Sequence, residues 1–384
     1  MIQWREGEVV AVGPRWGSAA EVEVALTDGG SPAGAPGTSA GGRVRGVVYA
    51  DLLGEVVVGD RVLLNCNALA KDLGTGGLAL VVAVLGRLPD VAPTEVGHLV
   101  KARYTPLQAV VLGADEQDSP HHAVLEEADN IDGMPVVAAD LHSSLPAILA
   151  GLRASNPGAR AVYVMTDGGA LPAAFSRTAA QLREHGWLEA VVTTGQSYGG
   201  DFEAVTVHTG LLTARLVADA DVAIVTQGPG NLGTGTRWGF SGVAAGEALN
   251  AAAVVGGHGI ATLRVSGADP RARHRGISHH SLTAYGRVLA RFADLPVPDL
   301  RGQPGVPDEL AEMVTVQAAE LVGDAPQLRR HEVDPAGLME ALRDCPVRLS
   351  TMGRGLEDDP AAFLAAAAAG RHAAAVLDRI DLRG

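Results

Sequence analysis

From residue 107 onward the chain alternates short apolar runs with helical patterns, and this alternation narrows the fold more than any other feature. The strand-like runs are 107–113, 135–140, 160–166, 190–194, 204–209, 221–226 and 260–265; the clearest helical patterns are 172–185, 211–218 and 243–254. Most of the runs are apolar on consecutive positions, which is the pattern of strands covered on both faces. They predict a doubly wound, mostly parallel, Rossmann-like α/β domain over residues 100–300. Residues 301–384 read as a C-terminal αβ extension: helices at 308–322 and 335–343, a strand-like run at 346–350, a Gly-Arg-Gly turn and an alanine-rich helix at 361–376. That helix is apolar enough to need a partner surface, so the extension is expected to pack on the α/β domain. It contains Arg371 and His372 and reads as too short to span a bilayer.

The first 90 residues follow another grammar. Short strands at 7–12, 20–26, 43–49, 55–64 and 78–84 are separated by turn clusters, with hardly any helical period. This predicts a small all-β barrel or sandwich. A loop rich in Gly, Ser, Pro and Ala spans 29–42, and a linker is expected at 89–93.

With 384 residues, 47% apolar and 19% charged, the chain is an ordinary globular one with room for two domains. A net charge of −14 argues against nucleic acid or an acidic membrane as partner. Of the 30 basic residues only Lys71 and Lys101 are lysines, so arginine is the default cation here and weaker evidence of anion recognition than usual. No phosphate-loop lysine motif is present. Cys66 and Cys345 have neither metal nor disulfide spacing and read as core filler. No signal peptide is read at the start, and a cytoplasmic, soluble protein is expected.

Ligands of open parallel sheets bind beyond the carboxyl ends of the strands, so the residues that follow each run carry the functional reading. They are polar and glycine-rich almost throughout: Asp140-Leu141-His142-Ser143-Ser144, Thr166-Asp167-Gly168-Gly169, Gly195-Gln196-Ser197-Tyr198, and Gly210 beside His208. A glycine loop follows the run 221–226. It holds a literal G-x-G-x-x-G at Gly228, Gly230 and Gly233, with Asn231, Thr234, Gly235, Thr236 and Arg237 adding donors. Strand, loop and helix in that order suit an anion cradle at a helix N-terminus. A dinucleotide is disfavoured, because the motif comes late and the next strand lacks a ribose-binding carboxylate. The turn can equally serve without a ligand.

The segment Asp269–Ser281 places Arg271, Arg273, His274 and Arg275 within five residues, with His279 and His280 close behind. One reading is an anion clamp in which His279 or His280 moves protons. A second is metal ligation by His274, His279 or His280 with Asp140, His142 or Asp167. The clamp is preferred because no H-x-x-x-H or H-E-x-x-H spacing supports a metal. A third reading is a solvated basic loop. Ser176 and Ser241 lack a nucleophile elbow, Ser143 and Ser144 read as helix caps, and His121-His122 as an exposed loop. Glu247 and Arg354 are outlying candidates.

The runs GPGNLGTGTRWGFSG and ADPRARHRGISHHSLTAYG, with the Ser350–Arg354 stretch, resemble a bacterial family known as domain of unknown function 3866. The resemblance brings no activity, cofactor or catalytic residue with it. The functional expectation therefore rests on the residues: an enzyme acting on a small anionic metabolite. In it Gly228–Gly235, Arg237, Asp269, Arg273, His274 and Arg275 bind, and His279, His280, Asp140 and Asp167 do the chemistry. A metal-dependent hydrolase and a non-catalytic metabolite-sensing or assembly protein are the alternatives. No cofactor is specified, and the small-residue helices are compatible with a homodimer.

Overall fold

Five strands close on themselves in the amino-terminal part of the chain. They are β1 (Trp4–Trp16), β2 (Ala19–Leu26), β3 (Arg43–Tyr49), β4 (Arg61–Asn65) and β5 (Ala79–Val84), in the barrel order β1-β2-β3-β5-β4. Alternate residues such as Val22, Val24, Val44, Val62, Leu64 and Val81 point inward and form its core. Strand β1 is long enough to pair with both β2 and β4 because register shifts after Val9 and Val12 bend it. The expected strand at 55–64 is shorter than its apolar run, since the Val57–Asp60 turn delays it until Arg61. The computed structural model describes residues 2–27, 42–71, 76–89 and 96–381, in two units, Met1–Glu95 and Val96–Gly384. Most of the loop at 29–42 and of the linker at 89–93 lies outside the described residues.

The second unit is built on eight parallel strands: β6 (Pro135–Ala138), β7 (Ala161–Thr166), β8 (Ala190–Thr193), β9 (Phe202–Glu203), β10 (Val222–Gln227), β11 (His258–Ala261), β12 (Ala293–Pro298) and β13 (Leu328–Val333). Their order is β9-β8-β7-β10-β6-β11-β12-β13. The chain leaves β6 in one direction, toward β7, and later leaves β10 in the other, toward β11. Right-handed crossovers then put helix α1 (Leu145–Ser155) and helix α4 (Ala244–Val254) on opposite faces of the sheet. With both faces covered, β6, β7, β8 and β10 are buried at every position. This is the doubly wound, Rossmann-like arrangement. Helices α2 (Arg177–Glu184), α3 (Val207–Leu216), α5 (His279–Thr283), α6 (Asp308–Asp324), α7 (Leu338–Arg343) and α8 (Pro360–Asp381) complete it.

Several local expectations are corrected. The run at 204–209 is a helix start and not a strand: Thr206 Oγ1 accepts from the Thr209 amide and caps α3, so its β-branched residues serve a cap. Within 107–113 the strand Ala109–Val111 pairs antiparallel with Leu99–Lys101, outside the large sheet. Ser144 stands at the start of α1 without a side-chain cap bond, and the Ser143 hydroxyl goes to Thr351 instead. Of the run at 346–350 only Ser350 is strand, in the two-residue strand Ser350–Thr351. Strands β12 and β13 carry two prolines and a charged edge, respectively, which hid them from pattern reading.

The alanine-rich helix is also longer than expected. Its segment Pro360–Ile380 passes a length-and-composition test for a membrane span, yet 83% of the tested window is buried inside the protein. Small residues are what let it sit there. A Cβ on Gly151 of α1 would strike the Ala367 carbonyl, and one on Gly370 of α8 would strike the Ile148 carbonyl. The two helices therefore touch backbone to backbone, which only glycine permits.

Candidate functional site

The strands β6, β10 and β11 lie side by side where the winding direction reverses, and a cluster of polar side chains lies beyond their carboxyl ends. Asp140 follows β6 by two residues and is 3% exposed. Arg264 follows β11, and after it the chain makes the excursion that bears the histidines. A two-residue antiparallel ladder, Val265–Ser266 with Gly276–Ile277, closes that excursion at its base. His274 is thereby folded back next to helix α5, which begins at His279. The helix runs on into a five-residue π turn, Ala284–Val288, anchored by Tyr285, whose hydroxyl donates to the Ala138 carbonyl at 3.0 Å.

One ring nitrogen from each of His274, His279 and His280 lies within 4.8 Å of the other two. Two of these rings are held from behind. His274 Nδ1 is 2.7 Å from Ser278 Oγ, and His280 Nδ1 is 3.1 Å from Asp140 Oδ2. Phe240 stacks flat on His280, ring centroids 3.8 Å apart. Arg264 Nη1 reaches both the Asp140 carboxylate (3.3 Å) and His280 Nδ1 (2.9 Å). Arginine is always a donor, so Asp140 is the acceptor shared by guanidinium and imidazole. The Nδ1–H tautomer of His280 satisfies that carboxylate and leaves Nε2 bare. The Arg264 Nη1 approach to Nδ1 is then a contact between two donors that share Asp140, not a hydrogen bond. His279 Nε2 is buried with no hydrogen-bond partner.

The electrostatics keep His274 and His279 neutral. Burial, aided by the positive charges of Arg264 and Arg271, brings His274 down to about 3. Burial, with His280 and Arg273 nearby, brings His279 down to about 4. Burial works against the Asp140 carboxylate, but the Arg264 charge and the His280 hydrogen bond outweigh it and hold its pKa below the ordinary value. Three imidazoles around a common point, two of them oriented by bonds on the far nitrogen, are the donor set of a divalent metal centre with an open position.

A cleft of about 750 Å³ is lined by His279 together with Arg237, Arg273, Arg287, Gln317 and Glu320, among others. Its size suits a small metabolite. The glycine loop contributes to it by a route different from the expected one. Instead of turning into a helix N-terminus, residues 232–240 form an exposed hairpin closed by the Gly233–Phe240 bridge, and α4 begins only at Ala244. The hydroxyls of Thr234 and Thr236 bond each other, and Thr236 Oγ1 accepts from the Gly239 amide within the hairpin. Gly235 lies close to the Arg273 guanidinium. The Gly228–Gly230 turn packs on the loop after β7, where the Ala170 amide donates to the Pro229 carbonyl. Asn231 is held by Gln227 and Ser241.

The remaining expected site residues lie elsewhere. Asp167 accepts from the Gln196 amide and ties two loops together, so it does not join the histidines. Asp269 is gripped by Arg271 on both oxygens and approached by Arg354, which makes it a buttress of the excursion. Arg273 and Arg275 are both exposed, Arg273 on the cleft. His142 points away, with Nε2 2.7 Å from Ser176 Oγ and Nδ1 3.1 Å from the Tyr163 hydroxyl. Sequence reading missed Arg264, Phe240 and Ser278. Arg264 fell inside the apolar run 260–265, but the strand stops at Ala261 and frees it.

Sheet topology and rim together define a doubly wound α/β protein with an imidazole cluster beyond its strand ends, one member of which, His279, lines a cleft. The chain belongs to the family described as protein of unknown function (DUF3866), whose model matches residues 45–370. No curated protein matches it.

Proposed function

We propose that the protein is a metal-dependent enzyme, most simply a hydrolase, acting on a small anionic metabolite in the cytoplasm. The observation that carries this is the convergence of His274, His279 and His280 with a buried, unpartnered ring nitrogen on His279. His274, His279 and His280 would hold the ion, and a divalent metal there supplies Lewis acidity and makes water a nucleophile near neutral pH. Asp140 fixes the tautomer and aim of His280, and Ser278 does so for His274. Arg237 and Arg273 draw the anionic group into the cleft and neutralise charge that develops on it. Free thiols on both cysteines fit a reducing compartment.

Metal analysis of the full chain, purified without a metal-chelating tag and exchanged into zinc-buffered medium, tests the reading. Turnover of p-nitrophenyl phosphate and p-nitrophenyl acetate is followed alongside. The expected result is zinc that is lost in a His274→Ala/His279→Ala chain, together with hydrolysis of one probe that the same chain lacks. Equal zinc content in the parent and the double variant would refute the metal assignment. Zinc binding without turnover of either probe would leave a metal-linked sensor as the function.

A further inference from the structure

A second group of imidazoles sits near the other end of the sheet. Ile260 of β11 pairs with Asp294 of β12, and Pro296 of β12 pairs with His331 of β13. Because side chains alternate along a strand, His258, Asp294 and His331 all stand on one face. Helix α8 covers that face and brings in His372 from its middle. The Asp294 carboxylate is 4% exposed and is the common focus. His258 Nε2 lies 2.7 Å and His372 Nε2 2.8 Å from Asp294 Oδ2. His331 Nε2 lies 3.1 Å from Asp294 Oδ1 without hydrogen-bond alignment, and that buried nitrogen has no other partner. The His331 and His372 rings are tilted against each other with centroids 4.5 Å apart.

An ionised carboxylate has room for about four donors, so the number of imidazoles is not itself the signal. Here three imidazoles aim the same ring atom at one carboxylate, and the third gains no hydrogen bond by doing so. His258, Asp294 and His372 offer ligand atoms within 4.8 Å of one another. His331, which aims at the other carboxylate oxygen and stands outside that group, would complete the N3O set that tetrahedral zinc takes. Ligand atoms in such a set stand about 3.3 Å apart for bonds of about 2.0–2.1 Å. The observed separations fall a few tenths of an ångström short of that. Small rotations of the half-buried His258 and His331 side chains would supply the difference.

We propose that His258, Asp294, His331 and His372 form a second, four-ligand site for a divalent ion of the zinc class, which clamps α8 onto β11, β12 and β13. Beside this site, Arg371 of α8 donates to the Asp334 and Ala336 carbonyls just past β13. A closed ligand set makes the site structural, with no coordination position left for a substrate.

The test uses the full-length chain carrying His274→Ala and His279→Ala, so that the cleft cluster cannot contribute. Cobalt(II) is titrated into this chain after chelator treatment, and zinc content is measured in parallel. The expected result is one equivalent of cobalt with the intense visible absorption of a tetrahedral ion, displaced by zinc, and a melting temperature raised by zinc. Adding His372→Ala or, should that chain fail to fold, His258→Asn, removes the absorption and the melting shift. The proposal is overturned if the folded parent binds no stoichiometric cobalt or zinc. It is equally overturned if the His258→Asn chain retains the tetrahedral spectrum.

Discussion

Two histidine clusters in one sheet invite comparison, because they use the same side chain in opposite surroundings. At the strand carboxyl ends, His279 lines a cleft, and behind it the buried His274 and His280 are held by Ser278 and Asp140. Near the strand amino ends, Asp294 stands in front of the imidazoles and takes the ligand position itself. A carboxylate behind a histidine tunes it and leaves room at the centre. A carboxylate among histidines fills the centre. The first arrangement suits turnover and the second suits fastening.

The largest expected difference is in activity. His274→Ala should lower the hydrolytic rate by about three orders of magnitude, since an ion at the open site supplies several kcal/mol of transition-state stabilisation. His372→Ala should leave the rate of the folded fraction within about twofold, as uncoupled sites do. Steady-state rates of both variants, normalised to folded protein, decide it. Comparable losses would erase the division of labour.

The next effect belongs to the fastening end. Gly370 lies two residues before His372, and a methyl group there would collide with the Ile148 carbonyl of α1. Gly370→Ala should cost about 1–3 kcal/mol, or more if the helices cannot part. Because α8 must shift, zinc at Asp294 should weaken while zinc at the cleft holds. Chemical denaturation with and without zinc reads both, and an unaltered midpoint would mean that the α1–α8 crossing is looser than its geometry.

At the cleft the matching change is Asp140→Asn. It keeps the shape but removes the charge that sets the His280 tautomer and accepts from Arg264. Zinc affinity there should fall about 10–100-fold, the usual cost of losing an orienting partner. Competition with a chromophoric chelator measures it. Affinity unchanged within about twofold would make Asp140 a partner of Arg264 alone.

The sequence displayed these two regions unequally. The cleft cluster was legible because its three histidines fall within seven residues, on a segment already marked by arginines and glycines. What it concealed was the geometry: Arg264 looked like strand interior, and the Gly-x-Gly-x-x-Gly suggested a helix-capping cradle where an exposed hairpin stands. Asp167 was drawn in by its place after a strand, yet its oxygen is spent on the Gln196 amide. The fastening cluster was invisible for a different reason. His258, Asp294, His331 and His372 are spread over more than a hundred residues, and two of their strands are masked by proline and charge. Only strand register and the placement of α8 bring them together. The doubly wound sheet and the β-barrel were readable from hydrophobic period alone, since burial on two faces or one leaves a direct imprint.

His142 supplies the control for both clusters, with the smallest expected effect. It is a partly exposed imidazole whose two nitrogens are already taken by Ser176 and Tyr163, so it has none left for an ion. Burial brings it down to about 4, against about 6.5 in an unfolded chain. Above about pH 6.5 neither state holds the proton, and His142 has its full stabilising effect. Between those values the unfolded chain takes up a proton that the folded chain refuses, so stability falls as the pH falls through this window. Discounted for partial exposure, the loss should be about 1–2 kcal/mol. Urea midpoints of the parent and His142→Gln chains at about pH 7 and about pH 5 isolate it: the parent should lose more than the variant, and added zinc should leave that difference unchanged. A zinc-dependent difference would make His142 a ligand and would blur the line between imidazoles that hold an ion and one that only fills a core.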